Sequence, residues 1–170
     1  LVLGGRRIHK NKTKAIAFKE ANTPEFQEYA QNIVKNSKVL SESLMEKGVK
    51  LTSNGCENHL MVLDVSGFNI TGRQAESAVR QAGITLNRNS LPFDPNGAWY
   101  TSGLRIGTPA LTTLGMGAEE MKVIAEVLYD ILSNTTANTI ASGPNAGKQS
   151  KAKATTDAAV LEKSKTAISA

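Results

Sequence analysis

The chain has 170 residues, a formal net charge of +5 and one cysteine. This length suits one domain with a single hydrophobic core, and one cysteine excludes a disulfide scaffold or a cysteine-rich zinc site. The apolar runs are too short to span a membrane. At the N-terminus the apolar residues precede the charged ones, which is the reverse of the order in a secretory signal. We therefore expect a cytoplasmic protein with no membrane partner.

The first predicted elements are two helices. Residues 13–21 form the first, and Thr23, Pro24 and Glu25 begin the second. Threonine caps a helix, proline suits its first position, and glutamate favours the positive end of the helix dipole. The second helix ends at Gly48. Its predicted buried stripe consists of Phe26, Ala30, Ile33, Ser37, Leu40 and Leu44.

Strands and a third helix follow. Residues 49–52 predict a short strand, and residues 60–65 are a nearly continuous apolar run, typical of a strand covered on both faces. Thr71 and Gln74 have the spacing of a capping box, which opens a helix that ends at Gly83.

The pattern continues with strands at residues 84–87 and 104–106 and a helix over residues 118–133. Two helices, two strands, a helix, two strands and a helix predict an α+β fold, in which helices cover one face of a small sheet. The inward face of the last helix is predicted to carry Met121, Ile124, Ala125, Leu128, Ile131 and Leu132.

The composition changes after Leu132. Residues 133–170 contain five lysines, two acidic residues and no aromatic residue. Residues 138–153, with three glycine or proline positions, predict a flexible linker, and residues 158–170 a weak helix. A lysine-rich tail can bind nucleic acid, but lysines spaced without arginines or aromatics are typical of a solvated segment, so we expect no nucleic-acid partner.

Candidate reactive residues are few. His9 and His59 lack the spacing of metal ligands, so no metal site is predicted, and Cys56 has no base partner and is predicted to be a plain thiol. Gly4 and Gly5 precede a helix and would let backbone N–H groups approach a phosphate. A hairpin or close packing is the alternative role for this glycine pair.

Arg105 lies between Leu104 and Ile106 in a short predicted strand. Side chains alternate along a strand, so the arginine points away from its two aliphatic neighbours. Its charge needs a partner, and a carboxylate matches the guanidinium fork with two hydrogen bonds. Two interpretations stay open: an internal salt bridge, or the binding of an acidic metabolite.

The segment around Arg105 reads SGLRIGTPALTTLG and closely resembles the signature S-G-[IL]-R-[IV]-G-T-P-A-[IL]-T of serine hydroxymethyltransferases. TLNRNSLPFDP resembles the folate-side loop of that family, and NHLMVLDV resembles its N-H-L strand. KAIAFKEA and the following TPEFQEYAQNIVKNSKVL resemble a helix pair of the family. Order and spacing agree over about residues 1–132, so we expect the C-terminal portion of such an enzyme.

The resemblance implies a pyridoxal-phosphate enzyme of fold type I, a homodimer or tetramer when complete, that interconverts serine and glycine and passes a one-carbon unit to tetrahydrofolate. It implies that Arg105 binds the substrate carboxylate and that Asn89 and Ser90 bind folate. Gly4 and Gly5 would approach the cofactor phosphate of the neighbouring subunit.

The resemblance also implies a division of the chain. Residues 1–22 would be the edge of the large domain, residues 23–132 the small C-terminal domain with a short antiparallel sheet covered by helices, and residues 133–170 a flexible extension.

The sequence departs from the family at its start. Arg6, Arg7 and Ile8 replace Pro-Leu-Pro, and the T-H-K segment with the Schiff-base lysine is absent. Lys10 follows a histidine but falls in the segment that aligns with G-G-P-L-P-H, so it is not that lysine.

We therefore expect no catalytic residue in this chain, no activity from it alone, and a partner that supplies the N-terminal part of the enzyme. The alternative is a non-catalytic folate-binding or assembly module.

Overall fold

The computed structural model describes the backbone of residues 3–169 and the side chains of residues 12–169. No helix among these residues combines the length and the apolar character needed to cross a membrane. The helices are α1 (Leu3–Ala21), α2 (Pro24–Glu46), α3 (Gly72–Gln81), α4 (Gly97–Tyr100), α5 (Pro109–Thr113), α6 (Ala118–Ser133) and α7 (Ala158–Ser169), with a 3-10 turn at Ser66–Phe68. The strands are β1 (Lys50–Leu51), β2 (Leu60–Asp64), β3 (Asn87–Asn89), β4 (Gly103–Gly107), β5 (Thr135–Thr139) and β6 (Gln149–Thr156).

The main sheet has four strands in the order β1-β2-β4-β3, and every neighbouring pair is antiparallel. Strand β4 is central: it pairs with β2 from Gly103 to Gly107, and with β3 at Asn87↔Arg105 and Asn89↔Gly103. The ladder therefore determines which side chains of three strands share a face. The fold is α+β, as predicted.

The hydrophobic core lies between the sheet and its helices. Leu40 of α2, Leu63 of β2, Leu104 of β4 and Leu128 of α6 are all completely buried. Burying four leucine side chains stabilises the fold by about 2 kcal/mol each. Helices α2 and α6 pack against each other over this face, so the predicted sheet covered by helices is confirmed.

Strand β2 differs from the prediction. Met61 and Leu63 are buried, but Leu60, Val62 and Asp64 are only half-buried. The helices pack on the face that carries Met61 and Leu63, so the opposite face remains partly accessible. The strand is covered completely on one face only.

Two element boundaries also differ. Helix α1 begins at Leu3, ten residues before the predicted start, and β3 begins at Asn87, where the predicted strand ends. The shift of β3 follows from the end of α3. Gly83 has φ +90°, and the N–H of Ile84 still donates to the carbonyl of Val79, so the chain reaches the β4 ladder only at Asn87.

Residues 138–153, predicted as a flexible linker, belong instead to an antiparallel hairpin of β5 and β6. The hairpin is held by contacts distant in sequence: Thr71 Oγ1 donates to the carbonyl of Lys151 at 2.8 Å, and Gln74 Nε2 donates to that of Lys153 at 2.9 Å. Helix α7 then packs on α6. Local composition predicted a linker because these partners lie about 80 residues away in the chain.

Gln74 links the hairpin to α3. Its side chain is buried, and Oε1 accepts the N–H of Thr71 at 2.8 Å, which completes the predicted capping box. The Nε2 group donates to the carbonyls of Ser150 and Lys153. One amide thus caps α3 with its oxygen and holds β6 with its nitrogen.

Replacing Gln74 tests this link. We expect Gln74→Ala to lower the free energy of unfolding by about 1–3 kcal/mol, because a buried N–H and two carbonyls lose their partner. Gln74→Glu keeps the acceptor for Thr71 but has no donor for β6, so residues 140–148 should become sensitive to limited proteolysis. Urea unfolding of the full chain measures the stability.

Gln81→Ala is the matched control, because Gln81 lies at the exposed end of the same helix and donates only one 3.4 Å bond, to the carbonyl of Ser77. Its effect should stay within about 0.5 kcal/mol. Equal losses from the two alanine variants would contradict the link between Gln74 and β6.

Candidate functional site

The face of the sheet opposite the helices, called here the open face, carries two of the predicted site residues, Arg105 and Asn89. Alternation along β2, β3 and β4 puts eight residues on it: Leu60, Val62, Asp64, Asn87, Asn89, Gly103, Arg105 and Gly107. Asn87 is the direct partner of Arg105, so Asn89 is its diagonal neighbour. Diagonal neighbours in an antiparallel pair are about 7–8 Å apart, within reach of one ligand.

Arg105 has the predicted orientation. Leu104 and Ile106 are buried on the helix side, whereas Arg105 is exposed. No carboxylate among residues 12–169 forms an ion pair with its guanidinium. Of the two interpretations of this arginine, the internal salt bridge is therefore not formed within the described part of the chain.

Asn89 and Ser90 end β3 and begin the loop that leads to β4. Asn89 is half-buried, and its Nδ2 donates to the carbonyl of Ser90 at 2.8 Å. Ser90 is exposed. The bond orients the asparagine amide at the edge of the open face.

Asp94 organises this loop. Its Oδ2 accepts the N–H groups of Leu91 (3.0 Å) and Ser102 (2.7 Å), and its Oδ1 accepts the N–H of Asn96 (2.9 Å) and Oγ of Ser102 (2.7 Å). Partial burial raises the pKa of Asp94, but the hydrogen bonds from Ser102, Asn96 and Leu91 together lower it below its ordinary value. Motif spacing does not single out Asp94. The only local sign is an Asp-Pro pair in a loop, which is typical of a turn.

The same loop contains two residues with unfavourable backbone conformations. Phe93 and Thr101 both have φ +56°, and neither is a glycine. Such a residue costs about 1–3 kcal/mol and persists only where its surroundings hold it. Phe93 is fully exposed, and Thr101 is buried with a hydroxyl that has no partner among the described residues.

Gly103 allows the loop to approach β4 closely. A Cβ at this position would lie 2.7 Å from Leu91 Cδ2 and 2.9 Å from the carbonyl oxygen of Asn89. Both distances are shorter than real Cβ contacts, so a side chain here would displace the residue that we predict to bind folate.

The other candidate residues do not join this site. Gly4, Gly5 and His9 lie outside the residues whose surroundings the structure describes, so the predicted phosphate role of the glycines stays a prediction. Cys56 is a free thiol that donates to the carbonyl of Leu60 at 3.0 Å. His59 is exposed, and within the described residues no group of three His, Cys, Asp or Glu side chains could hold a metal ion.

A groove of about 1100 Å³ lies beside β4. It is lined by residues 83–86, which precede β3, and by residues of β4, α5, α6 and α7. Its polar lining residues are His59, Thr85, Asn87, Arg105, Glu119 and Glu120, but most of the lining is aliphatic. Its large apolar residues are Leu60, Ile84, Leu86, Ile106, Leu111, Met116, Ile124, Leu128 and Ile168.

Comparison with known proteins identifies relatives over most of the chain. A family model described as "Serine hydroxymethyltransferase" matches residues 2–128. The chain is 51% identical to the serine hydroxymethyltransferase of Cutibacterium acnes over 144 residues, which are 84% of this chain and 29% of that protein. It is 48% identical to that of Salinispora tropica over 164 residues, 96% of this chain and 33% of that protein. It is 54% identical to that of Treponema pallidum over 136 residues, which are 80% of this chain and 24% of that protein.

The chain thus spans about a quarter to a third of the length of these relatives. The family model ends at residue 128, but the match to the Salinispora tropica protein covers 96% of the chain and so extends into the β5–β6 hairpin and α7. The segment after residue 133 therefore has a counterpart in that relative.

A methyl group at Gly103 tests the close approach. We expect Gly103→Ala to lower the free energy of unfolding by about 1–3 kcal/mol, because Leu91 and the Asn89 backbone must move away. Gly67→Ala is the control: its Cβ would meet nothing within 4 Å and its φ is not positive. Thermal or urea unfolding of the two variants should separate them, and equal stabilities would contradict the packing described.

The lowered pKa of Asp94 predicts how the loop responds to acid. Because the folded pKa lies below the unfolded one, the stabilisation is fully present above about pH 4 and is lost as the pH falls through the folded pKa. The amide NMR signals of Leu91 and Ser102 should therefore move only below about pH 4, and Asp94→Asn should abolish this step. Movement of these signals at higher pH would contradict the prediction.

Proposed function

This chain belongs to the serine hydroxymethyltransferase family, and from that premise we propose that it supplies the substrate-orienting and folate-orienting residues of a transferase. The proposed reaction interconverts serine and glycine and passes a one-carbon unit to tetrahydrofolate. The single observation that carries the proposal is the presence of Arg105 and Asn89 on one open face, with the Arg105 guanidinium free of any ion pair within residues 12–169.

Arg105 is the proposed carboxylate-binding residue. A guanidinium binds a carboxylate through two parallel N–H···O bonds, which define both position and orientation. Its backbone is held on both sides, because Arg105 is paired with Val62 of β2 and with Asn87 of β3. An arginine held in this way would orient an amino acid before reaction and reduce the entropic part of the barrier.

Asn89 and Ser90 are the proposed folate contacts. An asparagine amide can both donate and accept, which suits the mixed donors and acceptors of a pterin ring. One-carbon transfer requires the amino acid and folate to meet, and the diagonal placement of Asn89 and Arg105 on neighbouring strands supports such a meeting.

The described residues do not by themselves fit a complete pyridoxal-phosphate site. An imine-forming lysine must lose its proton, which burial or a neighbouring cation favours. Every lysine within residues 12–169 is exposed. Hydrogen bonds to Glu119 and Asp130 raise the pKa of Lys122 and Lys163 respectively, the opposite direction. We therefore assign no cofactor step to these residues.

We propose that the cofactor lysine belongs to the part of the relatives' length that this chain does not span. The complete enzyme would be a cytoplasmic homodimer or tetramer, with the phosphate role of Gly4 and Gly5 exerted across subunits. The alternative function, a non-catalytic folate-binding or assembly module, is favoured by the same exposed lysines together with the partly accessible open face.

The function is tested with the 170-residue chain. We expect it to bind tetrahydrofolate, with affinity reduced at least about tenfold in Asn89→Ala, a loss equivalent to one hydrogen bond to the ligand. Asn22→Ala is the control, since Asn22 is an exposed residue at the α1–α2 junction. Incubated with pyridoxal phosphate and serine, the chain should show neither imine absorbance nor serine cleavage.

The two readouts test two separate parts of the proposal. A visible imine band that requires this chain would overturn its proposed inactivity. Equal tetrahydrofolate affinities for the wild-type chain and Asn89→Ala would exclude the proposed folate contact, in the enzyme and in the binding module alike.

A further inference from the structure

We propose that Asp94 is the positioning residue of the folate loop, residues 90–102, and that it holds Asn89 in the geometry in which Asn89 and Arg105 can face one ligand. This inference rests on the proposed function for its ligand. The loop geometry that it predicts can be measured without the ligand.

The first argument is where the four hydrogen bonds lie. The last pair of the β3–β4 ladder is Asn89↔Gly103. Leu91 lies just beyond this pair on one side, Ser102 lies just before it on the other, and the Asp94 carboxylate accepts the N–H groups of both. The carboxylate therefore joins the two strands at the point where their backbone pairing ends.

The second argument is the acceptor capacity of the carboxylate. An ionised carboxylate offers about four acceptor positions. Two donors reach Oδ1 and two reach Oδ2, at 2.7–3.0 Å. Since all four positions are taken within the loop, Asp94 has no acceptor left for a ligand and acts through the residues that it holds.

The third argument is the strain in the loop. Phe93 and Thr101 both have positive φ, and Asp94 directly follows Phe93 and accepts from the residue directly after Thr101. Strained residues relax when the contacts that hold them are removed. Loss of the carboxylate should therefore release the loop, and the Asn89 end of β3 with it.

Asp94→Asn is the informative variant, because it keeps the size of the side chain but replaces one acceptor oxygen with a donor. In the full chain we expect amide hydrogen exchange at Leu91 and Ser102 to become at least about tenfold faster. Exchange at the core residues Leu40 and Leu128 should stay at the wild-type rate, which shows that the variant folds. Asp94→Glu keeps the charge and should restore part of the protection.

Asp157→Asn is the matched control. Asp157 also accepts two backbone N–H groups, from Ala159 (2.8 Å) and Val160 (3.1 Å), but at the start of α7. This variant should leave the exchange of Leu91 and Ser102 unchanged.

Tetrahydrofolate titration then shows whether Asp94 acts through Asn89. We expect Asp94→Asn to weaken binding at least about tenfold, and Asp94→Asn combined with Asn89→Ala to be no weaker than Asn89→Ala alone. A purely structural role would add its own loss to that of Asn89→Ala. Additive losses, or wild-type affinity in Asp94→Asn, would overturn the positioning role.

The proposed function and this inference fail in different ways. If the wild-type chain binds no tetrahydrofolate, the proposed folate function fails, and the exchange rates alone decide whether Asp94 holds the loop. If the chain binds tetrahydrofolate but Leu91 and Ser102 exchange at the wild-type rate in Asp94→Asn, the inference fails and the function stands.

Discussion

The backbone pairing of β4 with β2 and β3 is the constraint on which the remaining structure depends. Side chains alternate along a strand, so a shift of one residue in this register would turn Arg105 into the core and expose Leu104. The complete burial of Leu104 and Leu63 on the helix face opposes such a shift. Hydrophobic burial on one face thus determines which polar groups stand on the other.

The ladder ends at Asn89 and Gly103, and the loop beyond it is held by side-chain chemistry instead of backbone pairs. The Asp94 carboxylate accepts from both ends of the loop, and Gly103 lets Asn89 and Leu91 approach β4 without a side chain between them. These two devices are complementary, because one attracts the loop and the other leaves it room. Together they hold the loop that follows Asn89 against the end of β4.

The segment after residue 133 shows how polar contacts distant in sequence can organise a stretch of weakly hydrophobic composition. The segment has few large aliphatic residues, so it buries little apolar surface. Strand β6 nevertheless docks on the capping box of α3, because Thr71 and Gln74 donate hydrogen bonds to its carbonyls. The side-chain amide of Gln74 serves both purposes: its oxygen caps α3, and its nitrogen donates to β6. Arg105, Asn89 and this hairpin are all placed by elements that pack on the same small core.

The sequence by itself determined the elements whose signals are local. The α2 start at Thr23, the capping box at Thr71 and the outward direction of Arg105 follow from caps and from alternation over a few residues. Only the tertiary structure decided the start of β3, the diagonal placement of Asn89 and Arg105, the four hydrogen bonds of Asp94 and the docking of β6. These depend on the register between strands and on hydrogen bonds that link residues up to about 80 positions apart. Local pattern carries no information about such partners, because their distances are fixed only when the chain has folded.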